Sequence, residues 1–364
     1  MTSGIVMNDL EALTAIVYGD TFALYDEQAF DAFLAPLRRR LAANRIDTAL
    51  FRGKRCLDAG CGGGRGSILM GEAGASEVVG VDLSPTNIES CTKRAAQKGL
   101  SNLVFQRESL ARLPFPDASF DVVWCNGVLH HTADPDQGLK EITRVLKPGG
   151  HMWLYLYGSG GVYWYVVDWI RDLLHGIDVR ECIWQLRLME MPIGRIAEWI
   201  DDWFTGYLRR YTRADVTRRL EELGFSNTAV LERGVGYDTS ERRVGAGDRE
   251  RQLMGEGDVR HFCRKERAPS GDTHALPDPP DRKGSPFEDG AAVTQFAAPL
   301  ARIRAALDAL ERQRGHEINA YRILVARSVH SRVRSLLEES RPFDEAILHE
   351  HLTGVAALIS GFAR

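Results

Sequence analysis

The stretch Asp58-Ala59-Gly60-Cys61-Gly62-Gly63-Gly64 decides the fold of this chain. It begins within a short apolar segment, Cys56–Ala59, which is predicted to be a β-strand that runs directly into the glycines. Glycine lets the backbone turn tightly and approach a ligand where a Cβ atom would collide. The helix that is expected next offers free backbone N–H groups to the same ligand. Strand, glycine loop and helix in this order predict a ligand-binding turn.

Two better-known glycine loops do not match this stretch. A dinucleotide loop needs GxGxxG, but the last position is Arg65 when counted from Gly60 and Ser67 when counted from Gly62. A phosphate loop is excluded because no Gly-Lys-Ser/Thr follows. Asp82 comes 18 residues after Gly64, at the end of the second predicted strand. A carboxylate there can accept hydrogen bonds from both hydroxyls of a ribose.

Short strands and helices alternate outward from the glycine loop. This alternation predicts an α/β fold, a Rossmann-like, mostly parallel sheet of seven strands with helices on both faces. The predicted strands are Cys56–Ala59, Glu77–Leu83, Leu103–Gln106, Phe120–Cys125, His151–Tyr157, Thr228–Glu232 and Arg260–Arg264. The predicted helices between them are Ser67–Ala73, Pro85–Gln97, Pro135–Leu146 and Arg213–Leu223.

Sequence character changes several times along the chain and predicts its domains. Five prolines and few apolar residues between positions 266 and 290 indicate a linker. After it, apolar residues recur at helical spacing, which indicates an amphipathic helical module. The predicted parts are a helical cap (1–50), the first part of the core (51–158), an aromatic helical lid insertion (159–210), the rest of the core (211–265), the linker (266–290) and a C-terminal helical module (291–364).

Composition limits the class of protein. The 364 residues are 44% hydrophobic and 26% charged, as in ordinary globular enzymes, and the formal charge of −4 gives no footprint for nucleic acid. The longest nearly uncharged stretch, 152–167, is broken by glycines, so no membrane span is expected. The N-terminus shows no signal-peptide pattern, and the six cysteines form no CxxC pair. We therefore expect a cytoplasmic enzyme without a metal site.

Several further motifs follow the glycine loop in a fixed order. They are Leu113-Pro114-Phe115-Pro116-Asp117-Ala118-Ser119-Phe120-Asp121-Val122-Val123, then Val128-Leu129-His130-His131, then Lys147-Pro148-Gly149-Gly150. Together with Asp58-x-Gly60-x-Gly62-x-Gly64 and Asp82, they closely resemble the class I S-adenosylmethionine-dependent methyltransferases, in the ubiquinone and menaquinone methyltransferase-like branch. The resemblance is strong over residues 50–158 and weak in the flanks.

The resemblance implies S-adenosylmethionine as cofactor and a place for each part of it. The glycine loop, with Asp58, Gly60, Cys61 and Gly62, would hold the methionine part. Asp82 would hold the ribose, with Leu83 beside the adenine. Ser109 stands where the family often has an acid that binds the adenine, so recognition there is left between the Ser109 hydroxyl, the Leu110 backbone and Glu108. Asn126 and Gly127 would line the methyl-donor end.

Methyl transfer needs alignment of two reactants and sometimes the removal of a proton. His131 is the candidate base, because it lies near the end of the fourth predicted strand, where ligands collect in open α/β sheets. The alternative is that His130 and His131 both cap the turn after that strand.

The insertion and the tail leave alternatives open. Five of the seven tryptophans lie in the insertion, and Tyr163, Trp164 and Trp203 are the candidate substrate residues, since aromatic rings form rigid walls for a ligand. The same rings could instead join lid helices to the sheet. The tail could form a homodimer or pack within the chain. Tyr18 and Tyr25 could close over the cofactor.

The sequence thus predicts a methyltransferase that acts on oxygen, nitrogen or carbon of a small-molecule acceptor, in specialised or envelope metabolism. A cyclase or lyase on the same fold, which releases methylthioadenosine from the same cofactor, is one alternative. A non-catalytic protein that binds S-adenosylmethionine or a partner is another.

Overall fold

Seven strands of the described chain form one sheet. They are β1 (Arg55–Ala59), β2 (Glu77–Asp82), β3 (Leu103–Arg107), β4 (Phe120–Asn126), β5 (Leu146–Tyr157), β6 (Phe225–Ser226) and β7 (Asp258–Lys265). Their order is β3-β2-β1-β4-β5-β7-β6. The first five pair in parallel, while β7 lies antiparallel to β5 and β6 antiparallel to β7. The predicted Rossmann-like, mostly parallel sheet is confirmed.

This computed structural model describes residues 9–231, 252–267, 275–276, 291–314, 318–338 and 345–362. The helices are α1 (Asp9–Phe22), α2 (Glu27–Ala43), α3 (Arg65–Glu72), α4 (Pro85–Gln97), α5 (Pro135–Val145), α6 (Gly161–Leu173), α7 (Val179–Leu188), α8 (Ile193–Phe204), α9 (Arg213–Glu222), α10 (Ala291–Arg314), α11 (Ile318–Glu338) and α12 (Glu345–Phe362). Two 3-10 turns, Thr48–Phe51 and Leu129–His131, lie between them.

Local chemistry explains where the core helices begin. Ser84 accepts a hydrogen bond from the Asn87 N–H at the start of α4, and Asp134 accepts one from the Gln137 N–H at the start of α5. Each cap is followed by a proline in the first helical turn, which fixes the starting residue. α4 therefore has the predicted bounds, and α5 ends one residue before its predicted end.

The prediction of a strand at 228–232 was wrong. Only Phe225 and Ser226 pair with β7, and Val230 forms a single bridge to His261. Asn227 lies between them with φ 56°, a left-handed conformation that interrupts an extended strand. Position 232 lies outside the described residues.

The chain divides into two compact units. The first unit comprises residues 1–158, 205–241 and 258–279, and it holds the whole sheet. The second unit comprises residues 159–204, 242–257 and 280–364. The predicted linker at 266–290 lies outside the described residues, apart from 266, 267, 275 and 276.

Helices of the insertion and of the tail pack together in the second unit. α10, α11 and α12 contact one another, α10 and α11 contact α6, and α11 also contacts α7. Most of the apolar stripe of the tail is buried here, while Phe362 at its end is exposed; the buried members are Phe296, Leu300, Ile303, Leu307, Leu310, Leu352 and Ile359. The stripe therefore packs within the chain, as one of the two sequence interpretations has it.

Two further findings concern the chain as a whole. None of the helices in the described ranges is long and apolar enough to cross a membrane. All six cysteines are buried as free thiols, as expected for small core residues.

Candidate active site

One cavity, which we call the main cavity, lies at the carboxyl ends of β1, β2 and β4. The glycine loop forms its floor, and Gly60, Gly62 and Gly64 have φ values of 78°, 51° and 86°. A Cβ atom at Gly60 would lie 2.4 Å from Val128, and one at Gly62 would lie 2.6 Å from the Phe22 ring. Only glycine combines this conformation with so close an approach.

Two carboxylates of the main cavity are anchored by the protein. Asp82 accepts hydrogen bonds from the Gly62 N–H at 2.9 Å, the Ser84 N–H at 2.9 Å and the Asn87 amide at 3.2 Å. Asp58 accepts one from the Ser67 hydroxyl at 2.6 Å. Burial raises the pKa of Asp82, and it raises the pKa of Asp58 to about 6. A carboxylate has about four acceptor positions, so Asp82 keeps one for a ligand hydroxyl.

The next wall of the main cavity is the segment after β3. Leu83, Glu108, Ser109, Leu110 and Ala111 all line it. The Ser109 hydroxyl accepts a hydrogen bond from the Ala111 N–H at 3.2 Å, and the Glu108 N–H donates to the carbonyl of Asp82 at 3.2 Å. This segment is thus held against the end of β2, and all three residues that are candidates for binding the adenine line the main cavity.

The two adjacent histidines differ in environment. His131 lines the main cavity, and its Nδ1 lies 2.8 Å from the carbonyl oxygen of Tyr207. Because a carbonyl can only accept, Nδ1 carries the hydrogen, and in the neutral ring Nε2 is the nitrogen that can take a proton. His130 is fully buried and stacks on Tyr157 with ring centroids 4.0 Å apart. Burial lowers the pKa of His130 well below its usual range, with His131 adding to the effect.

Asn126 ends β4 and Gly127 follows it, beside the histidine turn, and both line the same cavity. The Asn126 Oδ1 accepts a hydrogen bond from the Trp153 indole N–H at 2.9 Å. Trp153 is fully buried and stacks on Trp124, with centroids 4.6 Å apart and planes 8° apart. The amide of Asn126 is therefore held by a rigid aromatic pair.

Helix α1 contributes Tyr18, which the sequence indicated, and four residues that it did not. Glu11, Thr14, Ala15, Tyr18 and Phe22 all line the main cavity. The Phe22 ring lies on the glycine loop, and the Tyr18 ring meets His131 edge-on, with centroids 5.5 Å apart. Of the two tyrosines expected over the cofactor, Tyr18 thus lines the cavity. Tyr25 is buried and stacks on Phe33.

The three candidate substrate residues lie in the second unit, where all three are buried. The Tyr163 hydroxyl donates to Asp202 at 2.5 Å and lies 3.2 Å from His330 Nε2. The Trp203 indole N–H donates to His330 Nδ1 at 2.9 Å. Trp164 meets the Tyr163 ring edge-on. These contacts place Tyr163 and Trp203 in a polar network inside the second unit.

Charges in the main cavity suit a cationic ligand. Five of its described lining residues carry carboxylates, while Arg65 is the one lysine or arginine among them. The lining acids are Glu11, Asp58, Asp82, Glu108 and Asp134. S-adenosylmethionine has a sulfonium and an ammonium group, both of which such a lining favours. The glycine floor, which an added Cβ would obstruct, gives it room at the same place.

Comparisons with known proteins agree with this geometry. A family model described as a methyltransferase domain matches residues 57–154. The 27-O-demethylrifamycin SV methyltransferase of Amycolatopsis mediterranei is 40% identical over 101 residues, 28% of this chain and 37% of that protein. The demethylmenaquinone methyltransferase of Deinococcus radiodurans is 41% identical over 100 residues, 27% of this chain and 41% of that protein.

A solved structure, that of the YcgJ protein from Bacillus subtilis, matches 62% of this chain and 94% of its own, with 21% identity and a TM-score of 0.40. The present chain spans about two fifths of the length of the two curated relatives. The range matched by the family model, 57–154, includes the glycine loop, Asp82 and His131 of the main cavity.

Proposed function

Residues 57–154 form a class I S-adenosylmethionine-dependent methyltransferase domain of the quinone methyltransferase-like branch, and on this premise we propose that the chain methylates a small molecule. S-adenosylmethionine is the cofactor of this domain. One observation supports the proposal most: His131, with Nε2 as its proton-accepting nitrogen, lines the same cavity as the glycine loop and Asp82. The cofactor residues and a candidate base thus share one space.

The residues divide the work of the reaction. Bound S-adenosylmethionine supplies a methyl group that its positively charged sulfur activates. The glycine loop and Asp82 would hold and orient this cofactor, and Tyr18 and Phe22 of α1 would cover it and exclude water. His131 Nε2 accepts the proton of the acceptor as the new bond forms, while the Tyr207 carbonyl keeps the ring in the required tautomer.

We propose that the acceptor is a small molecule of specialised or envelope metabolism. We also propose that the reaction takes place in the cytoplasm. The relatives are named for 27-O-demethylrifamycin SV and for demethylmenaquinone, both small molecules. Tyr163, Trp164 and Trp203 stay our candidates for the substrate wall. A homodimer would use exposed side chains of the tail, such as Leu324, Leu358 and Phe362, because most of the stripe is buried.

The decisive experiment compares two adjacent histidines. Purified protein is incubated with radiolabelled S-adenosylmethionine and with a panel that includes 27-O-demethylrifamycin SV and demethylmenaquinone. We expect transfer to at least one acceptor, and a loss of about 100-fold or more in kcat for His131→Gln with unchanged binding of S-adenosylhomocysteine. His130→Phe, which keeps the ring stack on Tyr157, is the matched control and should stay active. Equal activity of all three proteins would contradict the role of His131.

Chromatography of the products from S-adenosylmethionine alone tests the rival reaction. A methyltransferase needs an external acceptor, so we expect no rapid turnover without one. Enzyme-dependent release of methylthioadenosine in the absence of an acceptor would instead favour the cyclase or lyase reaction, and would leave the cofactor site as described.

A further inference from the structure

The hydrogen bond between Trp153 and Asn126 determines which end of the Asn126 amide faces the main cavity. An indole N–H can only donate, so its partner at 2.9 Å must be the amide oxygen and not the amide nitrogen. No other hydrogen bond to the Asn126 side chain is present within the described residues. The group that Asn126 can offer to the cavity it lines is therefore the N–H2 donor.

The position of the indole is itself fixed by the sheet. Trp153 of β5 pairs in register with Trp124 of β4, two residues before Asn126, so all three side chains lie on one face of the sheet. The Trp153 ring is fully buried against the Trp124 ring. Rotation of the Asn126 amide by 180° would break the indole hydrogen bond and leave a buried donor unsatisfied. The donor orientation is thus built into the packing.

Two residues that line the main cavity near the end of β4 therefore carry complementary groups: the Asn126 N–H2 can donate, and the His131 Nε2 can accept. We propose that this pair selects a hydroxyl group as the methyl acceptor and disfavours an amine, with Trp153 as the positioning residue for Asn126. This inference deepens the proposed function and rests on it.

The selection follows from counting lone pairs. A hydroxyl oxygen has one hydrogen and two lone pairs. Its hydrogen goes to His131 Nε2, one lone pair accepts the Asn126 N–H, and the other forms the new O–C bond. The C–S bond breaks, and its electron pair stays on sulfur as S-adenosylhomocysteine forms. A neutral amine has a single lone pair, which the attack on carbon uses, so it would leave the Asn126 donor without a partner.

Two cofactor analogues test the donor without an identified acceptor. S-adenosylhomocysteine has nothing at the methyl position, whereas sinefungin has an ammonium group there, which also can only donate. The wild-type amide should therefore discriminate against sinefungin. Asn126→Asp is nearly isosteric, keeps an acceptor for Trp153 and turns a carboxylate oxygen to the cavity. Trp153→Phe keeps the ring stack, removes the indole hydrogen bond and frees the amide to turn its oxygen to the cavity.

Affinities are measured by isothermal titration calorimetry. We expect the preference for sinefungin over S-adenosylhomocysteine to rise about tenfold or more in Asn126→Asp, since a charge-assisted hydrogen bond replaces a repulsive contact, and severalfold in Trp153→Phe. Asn44→Asp adds the same charge outside the main cavity and should leave the ratio unchanged. S-adenosylhomocysteine affinity reports whether each variant is folded.

An unchanged ratio in both Asn126→Asp and Trp153→Phe, with S-adenosylhomocysteine still bound, would overturn the inference and leave the proposed function standing. If the wild-type protein bound neither analogue, the proposed function itself would fail. The two failures are therefore distinguishable in one set of titrations.

Discussion

Asp82 is engaged by three protein donors, one from the glycine loop, one from the Ser84 backbone and one from the Asn87 side chain. The carboxylate therefore links the floor of the main cavity to the start of α4, in addition to any ligand that it holds. This double role shows why an acid at the end of β2 suits the site: it orients the loop and keeps an acceptor position for the ribose that we propose it binds.

We expect Asp82→Ala to weaken the binding of S-adenosylhomocysteine by about tenfold or more, because each charge-assisted hydrogen bond contributes about 1.5–3 kcal/mol. Calorimetry measures the change. Asp117→Ala removes an exposed carboxylate outside the main cavity and serves as control. Unchanged affinity in a folded Asp82→Ala protein would contradict ribose binding by this residue.

Sequence reasoning found the candidate cofactor residues of the main cavity, because their motifs are local. Each candidate cofactor residue, from Asp58 to Gly127, lines that cavity, and so does His131. It did not reach Phe22, which meets Gly62 forty residues away, nor the Tyr207 carbonyl that holds His131. Both contacts join segments that are distant along the chain and leave no periodic pattern.

At the scale of single elements, a buried ion pair joins α9 to the start of α5. Arg219 donates two hydrogen bonds to Asp136, at 2.6 and 3.0 Å, and both side chains are buried. Although burial opposes it, the hydrogen bonds from Arg219 and Lys140 hold the pKa of Asp136 below its usual range. The stability that ionised Asp136 provides is therefore present above the pKa that this residue has in the unfolded chain. It is lost as the pH falls through the lower pKa of Asp136 in the folded protein.

We expect Asp136→Ala to lower the free energy of unfolding by about 3–5 kcal/mol at neutral pH, because it leaves the buried Arg219 charge with only its longer contact to Glu222, at 3.6 Å. Urea unfolding measures the loss. Glu72→Ala breaks an exposed pair with Arg38 and should cost no more than about 1 kcal/mol. Similar losses in both variants would show that burial is unimportant for this pair.

The polar network inside the second unit joins α6, α8 and α11. Burial, with the charge of Arg195 adding to it, lowers the pKa of His330 to about 3. In an unfolded chain the pKa of a histidine is about 6.5. The stability that neutral His330 provides is therefore full above pH 6.5 and is lost as the pH falls toward the folded pKa of about 3. Burial raises the pKa of Asp202. The stability that protonated Asp202 provides is therefore full below the pKa of an unfolded aspartate and is lost as the pH rises toward the higher folded value.

His330→Gln isolates the histidine, because glutamine does not titrate. We expect the stability of the wild-type protein, relative to this variant, to fall as the pH is lowered from 7 to 4. Chemical unfolding at several pH values measures the difference. A difference that stays constant over this range would show that His330 does not titrate as described.

Strands and helices could be predicted where the sequence features that determine them are local. β1 to β4 and helices α3, α4, α5 and α9 lie within two residues of their predicted bounds, because caps, glycines and apolar runs act locally. β5 begins earlier than predicted, since Leu146 pairs with Phe120 ahead of the glycines. The association of α6 with α10 and α11 had no signal in the sequence, because more than a hundred residues separate them.

At the scale of the whole molecule, this association changes the expected result of a truncation. Deletion of residues 291–364 removes α10, α11 and α12, which cover α6 within the second unit. We expect the shortened protein to aggregate or to bind a hydrophobic dye, because a large apolar face becomes exposed. Light scattering and dye fluorescence measure the change. A soluble, monomeric product without dye binding would show that the tail is the separable module that the sequence pattern suggests.

The return of the chain after α8 has a consequence for how such proteins diversify. Gly158 forms a bridge with Tyr211, and the Tyr211 N–H donates to the Tyr157 carbonyl at 2.9 Å. The residues just before and shortly after the segment 159–204 are thus held together by contacts within the first unit. A loop with closed ends can change length at little entropic cost. Evolution could therefore exchange this segment as a cassette, provided that the new segment still packs against α10 and α11 and that the strip 205–211 with its Tyr207 carbonyl is inherited unchanged.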